Sequence, residues 1–362
     1  MRACGLDGAT VSAAYHAGKF TVPNGSRRVV FPEDGTVTFR HDPARYGLLE
    51  PLAHSLLDEH DPLAAMARGM PVTAWTVLMH NSRLGHAHPE LCVRNAHGDP
   101  ILHTLCPTHP EVRAYAVALV SDMAESYDLE AVAVETPGTL PHPHGFHHEF
   151  AQVASNPWLD TLLGVSFAPS DIEGASAEGI DADGLRKRVA ARVDAYLAAN
   201  VDVREDVARE WLLADLMGDL HELVPYLRWQ AGRVTDLVRD MREAMRGDVS
   251  LGIIPTIQRP TAACWREAHD LRGLAKAADF LDMPHYESDP ARTRADRFDV
   301  RSRTGSTSLG AILRPAHPDM SGANAIREHV AAVADDALSR LSFYNWGLMR
   351  PRDRAALAEA LA

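Results

Sequence analysis

Cysteine is scarce. Cys4, Cys92, Cys106 and Cys264 are scattered through 362 residues, and no two form a C-x-x-C pair. This excludes a disulfide framework or a zinc–thiolate centre as the organising device. No apolar stretch has the length of a membrane span. Residues 1–7 lack the apolar segment of a secretion signal. Polybasic runs are missing as well, and 36 Lys and Arg against 49 Asp and Glu leave a formal net charge of −13. Such a surface repels phosphate backbones. Nucleic acid and membrane are therefore excluded as partners, and a cytoplasmic location is expected. There is no G-x-G-x-x-G or Walker-type loop to support a nucleotide-binding sheet.

Apolar residues are plentiful at 46%, enough for a large core, and histidine is over-represented at 19. Short apolar runs alternate with segments of helical spacing. Strands are expected at 10–16, 71–79, 131–135, 249–254, 280–286, 308–313 and 341–346, and residues 28–31 and 37–39 read as a hairpin about a Pro-Glu-Asp-Gly turn. Helical spacing covers 43–68, 219–245, 264–277 and 323–337. The helix at 111–127 has Thr108 as its expected cap and Pro110 in its first turn. Residues 150–220 read as a helical insertion, with helices at 181–199 and 204–217. Alternating strands and helices argue for parallel β/α units. The expected fold is α/β: one (β/α)8 TIM barrel domain spanning 1–362, with the insertion after its fourth strand.

Barrels of this kind place their chemistry at the C-terminal ends of the strands. Ala131-Val-Ala-Val-Glu135 puts a carboxylate at such an end, and Asp282 belongs to a later strand. Two carboxylates across one cavity suit glycoside hydrolysis, and burial near aromatic rings keeps one of them protonated at neutral pH. Glu135 and Asp282 are the expected catalytic pair, with Glu149 and Glu173 in reserve. Tyr15, His16, His80, Asn81, His144, His147, His148, Glu149, His285, Arg314, Tyr344, Asn345 and Trp346 are the expected substrate-binding set. In it, rings (with Trp75 and Phe146) stack on sugars, and imidazoles and amides bond hydroxyls. His144, His147, His148 and Glu149 also suggest a metal site, but their spacing matches no zinc signature.

The segment Cys106-Pro-Thr-His-Pro-Glu-Val-Arg-Ala-Tyr115, its helix and the strand tipped by Glu135 resemble bacterial glycosyl-hydrolase-like TIM barrels. These are distantly similar to glycosidases of the α-amylase and α-galactosidase groups. The resemblance implies a nucleophile at Glu135 and an acid at Asp282, although the family mostly carries Asp where this chain has Glu135. The function expected is cleavage of a small glycoside or oligosaccharide, with a small carbohydrate as the only partner and no cofactor. Two other readings stay open. One is a metal-dependent barrel hydrolase or sugar isomerase using Glu135, Asp282 and the histidines at 144–148. The other is a non-catalytic sugar-binding barrel with its carboxylates too far apart. The insertion has enough apolar residues to cap the site or to join copies in a homo-oligomer.

Overall fold

The computed structural model describes residues 1–145 and 152–362. Seven strands run parallel: β1 (Ala9–Tyr15), β2 (Val72–Val77), β3 (Ala131–Glu135), β4 (Ser250–Ile254), β5 (Phe280–Pro284), β6 (Ser308–Leu313) and β7 (Leu338–Phe343). They pair in chain order. Beyond β1 the sheet continues through Thr36–Val37, antiparallel to β1, and then Leu52–Ala53. The fold is thus α/β on a nine-stranded, mostly parallel sheet. Helices between the strands cover its outer face, as parallel pairing requires. The helix Pro110–Ser126 buries Val112, Tyr115, Leu119, Val120 and Met123, each large apolar side chain contributing about 1.5–3 kcal/mol. Its cap is His109, whose Nδ1 accepts from the Glu111 N–H at 3.2 Å. Thr108, the expected cap, instead bonds Asp171 at 2.7 Å.

The sheet rolls up. Arg340 on β7 donates from Nη2 to Thr73 Oγ1 on β2 at 2.7 Å, although five strand spacings of about 4.8 Å separate them along the sheet. Laid flat, that is ~24 Å, beyond the reach of an arginine. The register shows how the roll is tilted. Glu135 pairs with Val77 on one side and Ile254 on the other. The β4–β5 register carries that row on to Asp282, which pairs with Gly310, which in turn pairs with Arg340. The row therefore begins at Val77 and ends beside Thr73, four residues lower on the same strand. A drop of roughly one residue per strand is the stagger of strands tilted in a rolled sheet. Because side chains alternate across a strand, Glu135, Asp282 and Arg340 step down into the interior.

Several expected elements differ. Val29–Val30 pairs with Phe20–Thr21, not with the strand at 36–37, so the hairpin expected at 28–39 is corrected. Of 43–68 only Pro62–Ala67 is α-helical, because Pro43, Gly47, Pro51 and Pro62 interrupt the spacing. The loop before Pro107 contains a pair of strands, Cys92–Arg94 with Pro100–Leu105. Among the described residues five helices stand between β3 and β4: Pro157–Gly164, Pro169–Ala177, Ala182–Ala199, Glu205–Met217 and Leu223–Ala244. They share an apolar cluster of their own around Trp158, Phe167, Tyr226 and Trp229. No helix among the described residues is long and apolar enough to cross a membrane.

Barrel interiors are usually packed with branched apolar side chains. Here small residues stand where room is needed. A Cβ at Gly252 would collide with the Phe280 ring, and one at Gly310 would collide with Asp282 and Arg340. Gly310→Ala is therefore expected to lower the unfolding free energy by about 1–3 kcal/mol. Denaturant unfolding checks this, and an unchanged midpoint would show that the interior has slack at this level.

Candidate active site

Glu135 ends β3 and is half-buried. Trp75 Nε1 donates to its Oε2 at 2.7 Å. The next residue, Thr136, has φ 55°, a left-handed conformation that costs a non-glycine residue of order 1 kcal/mol. This bend sends the chain over the loop that follows β4. There Gly138 lies so close to the Glu267 carbonyl and the His269 ring that no Cβ fits, and the Thr139 N–H donates to Glu267 O at 3.0 Å. Glu267 is thereby held near Glu135. It is buried, and its Oε1 accepts from Thr256 Oγ1 and from Gln258 Nε2.

Burial governs both acids. It raises Glu135 to about 7, against the opposing hydrogen bond from Trp75. It raises Glu267 to about 8, where the donors from Thr256 and Gln258 pull down and the charge of Glu135 adds to the rise. Two such neighbours titrate as a unit. At neutral pH the unit keeps a proton, which general acid chemistry requires.

Rings gather around Glu135. Tyr15 and Trp75 lie 5.2 Å apart, Trp75 and Tyr344 5.9 Å, and Tyr286 and Tyr344 5.7 Å between centroids. The Tyr15 and Tyr344 hydroxyls stand close together at the exits of β1 and β7. On the other side His16 stacks on His80 at 4.1 Å, and His103 and His144 stand 5.8 and 5.4 Å from His80. A cavity of about 820 Å³ opens beside Trp75, Tyr286 and Tyr344 and runs down the rolled sheet. Its walls include Ser12, Trp75, Glu135, Asp282, Tyr286, Tyr344, Asn345 and Trp346.

Asp282 faces this cavity but stands in the middle of β5, not at its exit as the sequence suggests. Burial raises it to about 6, with Arg340 opposing. His285 is fully buried, 3.7 Å from Asp296, and burial lowers it to about 3, so it is a neutral core histidine. Asn81 caps the helix Ser82–Ala87, its Oδ1 accepting from the Leu84 N–H at 3.0 Å. Arg314 makes a two-pronged pair with Asp319 at 2.7 and 2.8 Å while lying 4.8 Å from the Tyr286 ring. The structure turns these three expected ligand groups inward: Asn81 and Arg314 are hydrogen-bonded within the protein, and His285 is buried in the core beside Asp296. Asn345 lines the cavity while its Oδ1 accepts from the Gly347 N–H, and Trp346 lies under the Arg354 guanidinium at 4.6 Å. Glu173 is exposed on the insertion. Phe146, His147, His148 and Glu149 lie outside the described residues. Among the described residues no group of three His, Cys, Asp or Glu is placed to hold a metal.

Glu267 is the residue that sequence reasoning passes over. The segment 264–277 reads as one helix, yet Ala268 has φ 57° and separates the turn Thr261–Glu267 from the helix Leu271–Ala277. Asp270 was the legible signal: it caps the second helix through the N–H groups of Arg272 and Gly273.

No protein-family model matches this sequence, and no curated protein sequence does. Solved structures do match. The PgaB (BpsB) glycoside hydrolase domain from Bordetella bronchiseptica aligns with a TM-score of 0.58 at 11% identity, over 91% of this chain and 84% of that one. The β-galactosidase of the psychrophilic Marinomonas ef1 aligns with a TM-score of 0.57 at 12% identity over 100% of this chain and 55% of its own. That of Bacillus circulans sp. alkalophilus gives 0.55 and 12% over 99% and 52%. The chain spans about half the length of these two β-galactosidases. At such identities the likeness is one of fold: this chain folds as glycoside hydrolases do.

Proposed function

We propose that this protein hydrolyses a glycosidic bond of a small carbohydrate, without a cofactor, at the C-terminal end of a sheet that works as a closed barrel. The observation that carries this reading is Glu135. It is a carboxyl raised to about 7, on the wall of a cavity framed by Trp75, Tyr286 and Tyr344. In this reading Glu135 protonates the departing oxygen and then draws a proton from the incoming water. Asp282, one layer lower and beside Arg340, supplies the ionised carboxylate that faces the developing positive charge on the sugar. This exchanges the two roles that the family resemblance implies, because Glu135 holds its proton to a higher pH than Asp282. Glu267 is a positioning residue that acts through Glu135. The aryl rings suit the apolar faces of sugar rings.

A panel of p-nitrophenyl α- and β-glycosides tests the reading, and release of nitrophenol at no more than the buffer rate across the panel would overturn it. Glu267→Gln tests the positioning role. The charge of ionised Glu135 raises Glu267, so the pair gives up its protons in two steps, Glu135 first; Glu267→Gln removes the second step. The alkaline limb of the kcat/KM profile should then keep its midpoint near 7 but fall in a single ionisation, while a variant that still shows two would sever Glu267 from the pair.

A further inference from the structure

The cavity does not stop at Glu135. Below it the inward positions carry Ser12 on β1, Asp282 on β5 and Ser342 on β7, all on the cavity wall. Two residues further down, the Arg340 guanidinium lies 4.7 Å from the Phe280 ring and reaches Thr73 across the interior. This pair crosses the lumen, whose wall continues towards Ser250 and Ser308 at the strand starts. We propose that the space between Glu135 and the Arg340–Phe280 pair is a pocket for the terminal sugar ring of the substrate, so that cleavage takes place at a chain end. This rests on the glycosidase reading above.

Three observations point there. Barrels normally fill this space with branched side chains, and this one leaves it open. Beside Ile254, Pro284 and Ile312 the wall offers hydroxyls, a carboxylate and a guanidinium, a mixture that matches the apolar faces and the hydroxyls of a sugar ring. From Glu135 to the Arg340 level the row drops four residues, about 10 Å along a tilted wall, room for one ring with its substituents. A guanidinium lying on a phenyl ring then blocks a longer chain from threading through.

The test uses Glu135→Gln, which should bind glycosides without turning them over. Affinity is measured by titration calorimetry for the p-nitrophenyl monoglycoside preferred in the panel. It is measured also for a linear tetrasaccharide of the same sugar, with its non-reducing end free or capped by O-methyl groups. Ser342→Leu or Ser12→Leu, each added to Glu135→Gln, fills the pocket from a different strand. The expected result is a tenfold or greater loss of affinity from either leucine and from the cap, with the melting temperature unchanged. If one leucine variant does not fold, the other and the capped ligand still decide. Binding that ignores both leucines and the cap would overturn the pocket and leave the glycosidase reading standing. Absence of binding by every glycoside, together with an inactive wild type, would remove both.

Discussion

Glu135→Gln is expected to lower kcat by about 10²–10⁴-fold on whichever aryl glycoside the protein turns over, with KM little changed. The substitution is close to isosteric, and the amide oxygen still accepts from Trp75 Nε1, so the site keeps its shape. What is lost is the exchangeable proton. The same argument fixes the pH dependence. A general acid raised to about 7 by burial works while it is protonated, so kcat/KM should fall as pH climbs through that value. Asp282→Asn makes the comparison informative. If Asp282 faces the developing charge, its variant loses rate on a scale comparable with Glu135→Gln. If it serves only to balance Arg340, rate survives and stability changes. Activity of Glu135→Gln above a tenth of wild type would take Glu135 out of the chemistry and leave the aromatic cavity as a binding site.

Much of this arrangement is legible in the sequence because burial on both faces leaves a plain mark. The run 131–135 has no polar residue before Glu135, and its ladder continues on both sides exactly as far as that carboxylate. The positions of Trp75, Tyr344 and Trp346 around one cavity follow from strand order alone. Depth is harder to read. Asp282 seems to stand near a strand exit when Phe280-Leu-Asp-Met-Pro is read along the chain, but each strand is displaced against its neighbour, and that stagger puts Asp282 one layer below Glu135. Partners are harder still: nothing local in the sequence says that Asn81 bonds Leu84 or that His285 faces Asp296. The segment 28–53 misleads because prolines and glycines cut its apolar pattern into two-residue strands, whose pairing depends on the rest of the sheet. Glu267 escapes notice because its role depends on a backbone bend at Ala268 and on the close approach of Gly138.

The buried acids also make a prediction about stability that reverses the usual trend. Asp282, Glu135 and Glu267 start from ordinary values of 3.8, 4.5 and 4.5 and stand at about 6, 7 and 8 in the fold. All three are raised, so the folded state binds protons more tightly than the unfolded chain. Their contribution to stability is full below about pH 4 and is lost as pH rises through their folded values. A rise from 4.5 to about 7 corresponds to about 3 kcal/mol for Glu135 at alkaline pH. The carboxyls of Asp335 and Asp353, lowered by arginine partners, work in the opposite sense, but their effect falls away only as pH drops below the ordinary carboxylate range. Inside the acids' window the buried histidines His269 and His285, lowered from 6.5 to about 4 and about 3, work against them, but the three carboxyls carry the larger summed shift. Denaturant unfolding should give a wild type less stable at pH 8 than at pH 5. Glu135→Gln and Glu267→Gln should each be more stable than wild type at pH 8, by up to ~3 kcal/mol, and should flatten the slope between the two pH values. The sum need not be additive, since the two glutamates share one titration. A slope between pH 5 and pH 8 that neither Glu135→Gln nor Glu267→Gln flattens would mean that these carboxyls ionise freely in the fold. Glu135 would then have no proton to give at neutral pH, and the acid role assigned to it would fall with the stability argument.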